Sequence, residues 1–331
     1  MLTKEREMSK SIIVTGAAGF IGRNTVAELN RQGYQDLILV DTLGRDGKWR
    51  NLRGLHYDDF LAPQALLSQL DRGNLSNAAA IVHLGACSST TETDADYLLE
   101  NNYRYTRRLC EFSLEHGIRF IYASSAATYG DGARGYSDDE GTVKELHPLN
   151  MYGYSKHMFD LWALKSGALK QIVGLKYFNV FGPFEDHKGS MKSVVAKSYR
   201  QIRDSGKVQL FKSYDPQYAD GEQMRDFVYV KDAVAVTLSF LNELGRNGLF
   251  NCGTGKARTW KDLVTAVFHS IGAPVRIDYI DMPEELRGKY QYFTEADMRK
   301  LRASNYTAPF WTLEDAISDY TKTYLNNPEA E

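Results

Sequence analysis

A doubly wound α/β fold, the Rossmann-type arrangement with a parallel sheet covered by helices on both faces, is predicted for this chain, with a smaller α/β unit beside it. Three observations predict it. Short apolar runs rich in β-branched residues alternate with helical patterns, glycines punctuate the first junction, and an aspartate closes the second run. A length of 331 residues suits two such units and a sizeable core.

The first run, SIIVT (11–15), precedes FIGRNTVAELNRQG, where Phe20, Ile21, Val26 and Leu29 recur at helical spacing and Gly33 supplies the stop. DLILVD (36–41) reads as the second strand. AAAIVHLGA (78–86), RFIYASS (119–125) and QIVGLKYFN (171–179) read as further buried strands. Between two of them, ADYLLENNYRYTRRLCEFSLEHG (95–117) reads as a helix.

Gly16, Gly19 and Gly22 form G-x-x-G-x-x-G where the first strand turns into the first helix. Glycines there let the backbone turn tightly and approach a pyrophosphate seated on the helix N-terminus. With Asp41 ending the second strand, the pattern indicates dinucleotide binding. Asp41 suits the free adenosine ribose of NAD. Arg45, Lys48, Arg50 and Arg53 follow it, and such a cluster can neutralise the 2′-phosphate of NADP or form a solvated basic loop. Asp58, Asp59 and Phe60 are placed to flank an adenine.

Charge excludes one class of partner. Lys plus Arg number 40 against 42 Asp plus Glu, a net −2, so no basic field exists to displace counterions from nucleic acid. Cys87, Cys110 and Cys252 are odd in number and lack metal-type pairing, which points to a reduced, cytoplasmic protein and no metal. The start, MLTKEREMSK, has no signal-peptide core, and the tail, NNPEAE, is polar. No apolar run approaches the ~20 residues of a membrane span.

Tyr152 and Lys156 stand four residues apart, on one face of a helix. A phenol working as a base near neutrality needs its pKa of about 10 lowered by about 3 units, and a neighbouring ammonium is expected to supply that. The preceding strand ends in YASSAATYG (122–130), which offers Ser124 and Ser125 to a reacting hydroxyl. Cys87 reads as a small packing residue beside the cofactor.

In the order glycine triplet, Asp41, HLGA, SSAATYG and Y-x-x-x-K, the whole chain resembles the extended short-chain dehydrogenase/reductase family, whose members mostly act on nucleotide-linked sugars. YFNVFGP (177–183), RDFVYVKD (225–232) and FNCGTG (250–255) extend the likeness. The resemblance implies a dinucleotide-binding domain from 1–178 plus 227–254 and a substrate domain from 179–226 plus 255–331, whose end can return to the first. It also makes Ser125, Tyr152 and Lys156 the catalytic triad.

Ala126 and Ala127 follow Ser125, where sugar dehydratases carry a carboxylate pair, so epimerisation is favoured over dehydration. Inversion requires the hydroxyl proton to be handled from two directions, hence two acid/base groups. HLGACSSTTETD (83–94), ENNYRYT (100–106), YFNVFGPFEDHKGSM (177–191) and RGKYQYFT (287–294) resemble the ADP-glycero-manno-heptose 6-epimerase family, which serves lipopolysaccharide core synthesis. That resemblance makes Lys188 the second catalytic base. It puts cofactor contacts on Phe20, Ile21, Asp41, Thr42, Lys48, Leu84, Gly85, Ala86, Cys87, Ser88, Asn101, Lys156, Val180 and Lys188. Substrate contacts fall on Asn179, Ser190, Phe211, Lys212, Ser213, Tyr214, Arg225 and Tyr290. Lys212 and Arg225 can neutralise a diphosphate, and Phe211 and Tyr214 can pack on adenine. The implied protein uses NADP, with NAD the alternative, and forms a homo-oligomer, commonly a pentamer. Three departures stand out: Lys197 at a substrate position where the family has histidine, a longer YDPQYADGEQM loop (214–224), and Pro63 in place of a cofactor lysine. Two other functions fit the scaffold, a 4-epimerase of a UDP-hexose and a non-catalytic NADP sensor.

Overall fold

Residues 10–45, 47–287 and 290–327 are described by the structure, a computed structural model. The expectations for the MLTKEREMSK start and the end of the NNPEAE tail lie almost wholly outside these residues, as do two positions of RGKYQYFT.

The strands are β1 (Ile12–Thr15), β2 (Leu37–Val40), β3 (Asp59–Leu61), β4 (Ala80–His83), β5 (Arg119–Ser125), β6 (Val173–Tyr177), β7 (Asn179–Phe181), β8 (Val208–Phe211), β9 (Met224–Tyr229), β10 (Gly248–Cys252), β11 (Ala257–Thr259) and β12 (Ile277–Ile280). The main helices are α1 (Phe20–Arg31), α2 (Pro63–Asp71), α3 (Ala95–Leu98), α4 (Tyr105–Glu115), α5 (Met151–Ser166), α6 (Val194–Ser205), α7 (Val230–Ser239) and α8 (Trp260–Ser270).

Seven parallel strands form the main sheet in the order β10-β6-β5-β4-β1-β2-β3. Apart from the edge strand β3, its strands are largely buried on both faces, and alternation splits their side chains between two cores. Ile12 and Val14 of β1 point into one cluster and Ile13 into the other; Val82 and Ile81 of β4 divide likewise. Hydrophobic burial on both faces thus explains why these strands are near-continuous apolar runs. Strand order reverses between β1 and β4, and the crevice at such a switch point is where ligands bind in open α/β sheets.

Helix α1 buries Phe20, Val26 and Leu29, as its spacing predicts, and the chain leaves it through Gly33 at φ +92°. The expected helix over 95–117 differs in its middle. A wider π-helical turn, Leu99–Arg104, separates α3 from α4. Its Asn102 is fully buried and clamps the main chain of Cys87, accepting from Cys87 N at 2.9 Å and donating to Cys87 O at 2.9 Å. A π-turn of this kind re-aims one side chain without ending the helix.

Two smaller sheets lie beside the main one: β11-β9-β7, and a parallel pair β12-β8. Helix α7 follows β9 directly and packs back on α1. Among the described residues no helix is long and apolar enough to cross a membrane, and no cluster of metal-ligating side chains occurs.

Candidate active site

A cavity of about 700 Å³ opens at the C-terminal ends of β1 and β4. Gly16, Gly19, Phe20, Ile21 and Gly22 line one side, with Asp41, Thr42 and Lys48 beside them. Leu84, Gly85, Ala86, Cys87 and Ser88 form the facing wall. Ser124, Ser125, Tyr152, Lys156, Val180, His187 and Lys188 also line it.

The glycine turn fits a dinucleotide. Gly16 has φ +68°, and a Cβ there would stand 2.6 Å from the Gly85 nitrogen, so only glycine lets the two walls approach this closely. A Cβ on Gly22 would stand 2.0 Å from the Gly16 oxygen. Gly19 begins α1 with no side-chain cap, and no acidic residue occupies the first turn. The free N–H groups of that turn suit a pyrophosphate.

Asp41 is held by three donors: Ala18 N at 2.9 Å, Thr42 N at 2.7 Å and the Lys48 ammonium at 2.6 Å. Of the four basic residues that follow it, Lys48 alone is seen paired with this carboxylate. Arg50 and Arg53 turn towards the Trp49 ring, at 5.9 and 4.9 Å, and Arg45 is exposed. Asp58 and Asp59 are exposed, and Phe60 packs on the core, so the expected adenine flank does not form part of the cleft wall.

Strand β5 and helix α5 bring Ser125, Tyr152 and Lys156 together. Asn150 caps α5, its Oδ1 accepting from Gly153 N at 2.8 Å. Ser125 hydrogen-bonds Tyr152. Ser124, expected to share that work, touches the cleft wall but donates its hydroxyl to Asp160 Oδ2 at 2.8 Å. Period-two alternation along β5 separates the neighbours. Burial pushes the Tyr152 phenol above its ordinary pKa, and the Ser125 hydrogen bond draws it partly back. The depression expected from Lys156 is therefore not realised by the protein alone: desolvating a phenolate outweighs what its neighbours return. Burial also draws the Lys156 ammonium down to about 8, while the Asp160 carboxylate one turn further along α5 pulls it up.

Lys188 sits in a 3-10 turn, Asp186–Met191, and reaches the same cleft. Its ammonium lies 4.9 Å from the Phe20 ring and 3.8 Å from Glu185 Oε2, with only 23% of the side chain exposed. Burial lowers its pKa, Glu185 raises it and Lys197 of α6 lowers it.

Asn101, Asn179, Ser190 and Lys197 do not line this cavity among the described residues. Asn101 donates to Asn102 Oδ1 at 3.0 Å. The remaining predicted substrate residues gather in two groups elsewhere. Lys212 and Tyr214 share Asp281 Oδ1 at 3.1 and 3.0 Å, and Arg287 stacks 4.1 Å from the Tyr214 ring. Phe211 and Ser213 flank Lys212, and Ser213 N donates to Asp220 Oδ1 at 2.7 Å within the long loop. Arg225 is buried, donates to the Met224 carbonyl at 2.8 Å and lies 5.7 and 5.1 Å from the Trp260 and Tyr290 rings. No carboxylate pairs with it among the described residues.

Sequence reasoning missed Asn102, Glu185 and the buried pair Asp160–Lys176. Lys176 Nζ stands 2.8 Å from Asp160 Oδ2, and both side chains are wholly buried. A lysine inside an apolar strand run was the available signal for this pair.

Comparison with known proteins follows the same lines. The NAD dependent epimerase/dehydratase family matches residues 12–253. A protein of Nitratidesulfovibrio vulgaris (strain DP4) named ADP-L-glycero-D-manno-heptose-6-epimerase is 55% identical over 314 residues, covering 95% of this chain and 97% of that protein. One of the same name from Fusobacterium nucleatum subsp. nucleatum is 48% identical over 324 residues, covering 95% and 98%. The crystal structure of the Helicobacter pylori ADP-L-glycero-D-manno-heptose-6-epimerase superposes with a TM-score of 0.80 at 27% identity, covering 95% of this chain and 96% of that one.

Proposed function

The chain belongs to the NAD dependent epimerase/dehydratase family, and from that premise we propose that it inverts carbon 6 of ADP-D-glycero-β-D-manno-heptose to give the ADP-L-glycero epimer. It is an enzyme of the isomerase class that works with a nicotinamide cofactor. The proposal extends to NADP, to a homo-oligomer and to supply of a lipopolysaccharide core sugar. Lys188 in the same cleft as Tyr152 is the observation that carries it.

A bound nicotinamide would supply a hydride acceptor for the carbinol carbon and return the hydride to the ketone. The protein's part is to hold the sugar and move the hydroxyl proton. Ser125 and Tyr152 hold that hydroxyl in one orientation, with Tyr152 exchanging its proton. When the sugar turns to present its other face, Lys188 takes over. Dehydration finds no support, because Asp41, already paired with Lys48, is the one carboxylate lining the cleft among the described residues.

Gly16, Gly19, Phe20, Ile21 and Gly22 would hold the cofactor diphosphate, and Lys156 its nicotinamide ribose. Lys48 neutralises Asp41, which favours a 2′-phosphate at that end. Arg225, a buried cation without a carboxylate partner, suits the sugar nucleotide's diphosphate, joined by Lys212. Phe211 and Tyr214 would face its adenine, with Asn179, Ser190, Lys197, Ser213 and Tyr290 as further contacts. For the division into 1–178 plus 227–254 and 179–226 plus 255–331, the return of α7 to α1 speaks in favour, while the 226/227 boundary falls inside β9, whose residues 227–229 pair with β7 in the small sheet.

Lys188→Ala is expected to retain cofactor and lose about a hundredfold in epimerisation rate, read by resolving the two epimers. A variant that turns over at the parent rate would remove the second proton group. Mass spectrometry of the ligand released on denaturation is the check on NADP.

A further inference from the structure

The turn that carries Lys188 is braced by features the catalytic reading does not use. Glu185 is 1% exposed, yet it is a carboxylate. Ser193 donates to it twice, from N at 2.6 Å and from Oγ at 2.5 Å, and the Tyr320 hydroxyl donates at 3.2 Å. Its cationic neighbour is the Lys188 ammonium at 3.8 Å, three residues on in the same turn.

The backbone on both sides is special. Phe184, immediately before Glu185, adopts φ +70°, a left-handed conformation that is strained for a non-glycine residue. Its ring is buried, with the Arg23 guanidinium 3.6 Å away and Tyr324 edge-on at 6.0 Å. Gly189, immediately after Lys188, breaks the turn at φ +53°. Tyr320 and Tyr324 both belong to the terminal π-helix, Tyr320–Leu325. The last helix therefore grips the loop at Phe184 and at Glu185, and the loop is bent so that the acid goes inward.

Burying a carboxylate costs several kcal/mol unless donors and a counter-charge surround it. Capping α6 alone would not require this, because the Ser193 side chain already caps that helix, accepting from Ala196 N at 3.2 Å. We propose that Glu185 is the positioning residue of Lys188, pinning its ammonium against Phe20 and into the cleft. The proposal rests on the reading of Lys188 as the second proton group. Among the described residues, Glu185 from its own turn and Lys197 from α6 act on the Lys188 charge, α1 presents the Phe20 ring, and Tyr152, Lys156 and His187 share the cleft wall with it.

The test uses the cofactor-loaded enzyme and Glu185→Gln, which keeps one acceptor oxygen for the Ser193 donors and removes the charge. Lysine acylation across a pH series, read at Lys188 by mass spectrometry, gives that amine's titration midpoint. Without the carboxylate the ammonium loses its stabiliser, so the midpoint is expected to move to lower pH. The pH profile of turnover should move the same way, kcat should fall at least about tenfold and KM should change little. Glu185→Asp restores the charge and is expected to recover the midpoint and part of kcat; it also serves if the glutamine variant does not fold. An unmoved midpoint with parent kcat in Glu185→Gln, or no recovery in Glu185→Asp, overturns the proposal. If Lys188→Ala is impaired while Glu185→Gln behaves as the parent, only Glu185's role fails. Parent-like turnover in Lys188→Ala removes the premise instead.

Discussion

Tyr152→Phe is expected to lower kcat about a thousandfold while leaving cofactor content and KM close to those of the parent. The substitution deletes one oxygen and keeps the ring, so the start of α5 and its Asn150 cap stay as they are. Lys156 and the glycine turn, which would hold the cofactor, are untouched. The size of the loss follows from the role: with no hydroxyl at this position, the sugar's proton has no acceptor in one of its two orientations. The pH profile gives a second readout. Burial holds the Tyr152 phenol above its ordinary pKa, so the protein's own groups leave it protonated at neutrality. Where it must act as base, the rate rises with pH as the phenolate fraction grows. The rise ends as Lys156, drawn down to about 8, loses its charge. The phenylalanine variant should lack the rising limb. A variant with more than about a tenth of parent kcat would remove Tyr152 from the proton path.

Lys176→Met is the substitution expected to destabilise the protein most, by about 3–5 kcal/mol. Lys176 lies in β6, between β10 and β5 of the sheet, 2.8 Å from Asp160 and 2.6 Å from Thr128 Oγ1, and neither member of the ion pair has any exposed side-chain surface. Methionine fills the space but leaves the Asp160 carboxylate buried without its ion-pair partner, hydrogen-bonded by the hydroxyls of Tyr122 and Ser124. A pair that adds little net stability when complete is costly to break, because the remaining charge stays desolvated. Adding Asp160→Asn to Lys176→Met should therefore recover part of the loss in a thermal or denaturant melt. Equal stability of parent and Lys176→Met would mean the carboxylate is protonated or hydrated there, contrary to this account. Asp160 also supports the charge on Lys156, so the double variant, which removes that carboxylate, should weaken cofactor retention.

Features fixed by local spacing were legible before any fold was known. Strand β1, the Gly16 turn and α1 follow from adjacent residues. Tyr152 and Lys156 followed from a four-residue interval, a strand end offered Ser124 and Ser125, and the family resemblance singled out Ser125; the three meet in one cleft. Lys188 reached that cleft through a motif rather than a spacing, since nothing in its own neighbourhood says where a polar turn will point. What escaped was set by partners distant in sequence. Asp160 and Lys176 belong to different elements, and Glu185 meets Tyr320 from the far end of the chain. The ties of Lys212 and Tyr214 to Asp281 are of the same kind. Two misreadings have local causes. Ser124 could have been told from Ser125 by strand alternation, and the Tyr152 pKa was judged from a charge without its burial. The π-turn at Leu99–Arg104 left no mark in an otherwise helical pattern.

The central claim is a redox-neutral inversion of an ADP-heptose with proton groups on two flanks of one cleft. Its most direct test is incubation of the purified enzyme with each pure epimer of ADP-glycero-β-D-manno-heptose, resolving the epimers while following reduced nicotinamide. The account predicts the same epimer mixture from either start, with no net gain of reduced cofactor. Untouched heptose alongside turnover of UDP-hexoses, or a keto-sugar accumulating in step with reduced cofactor, would contradict it.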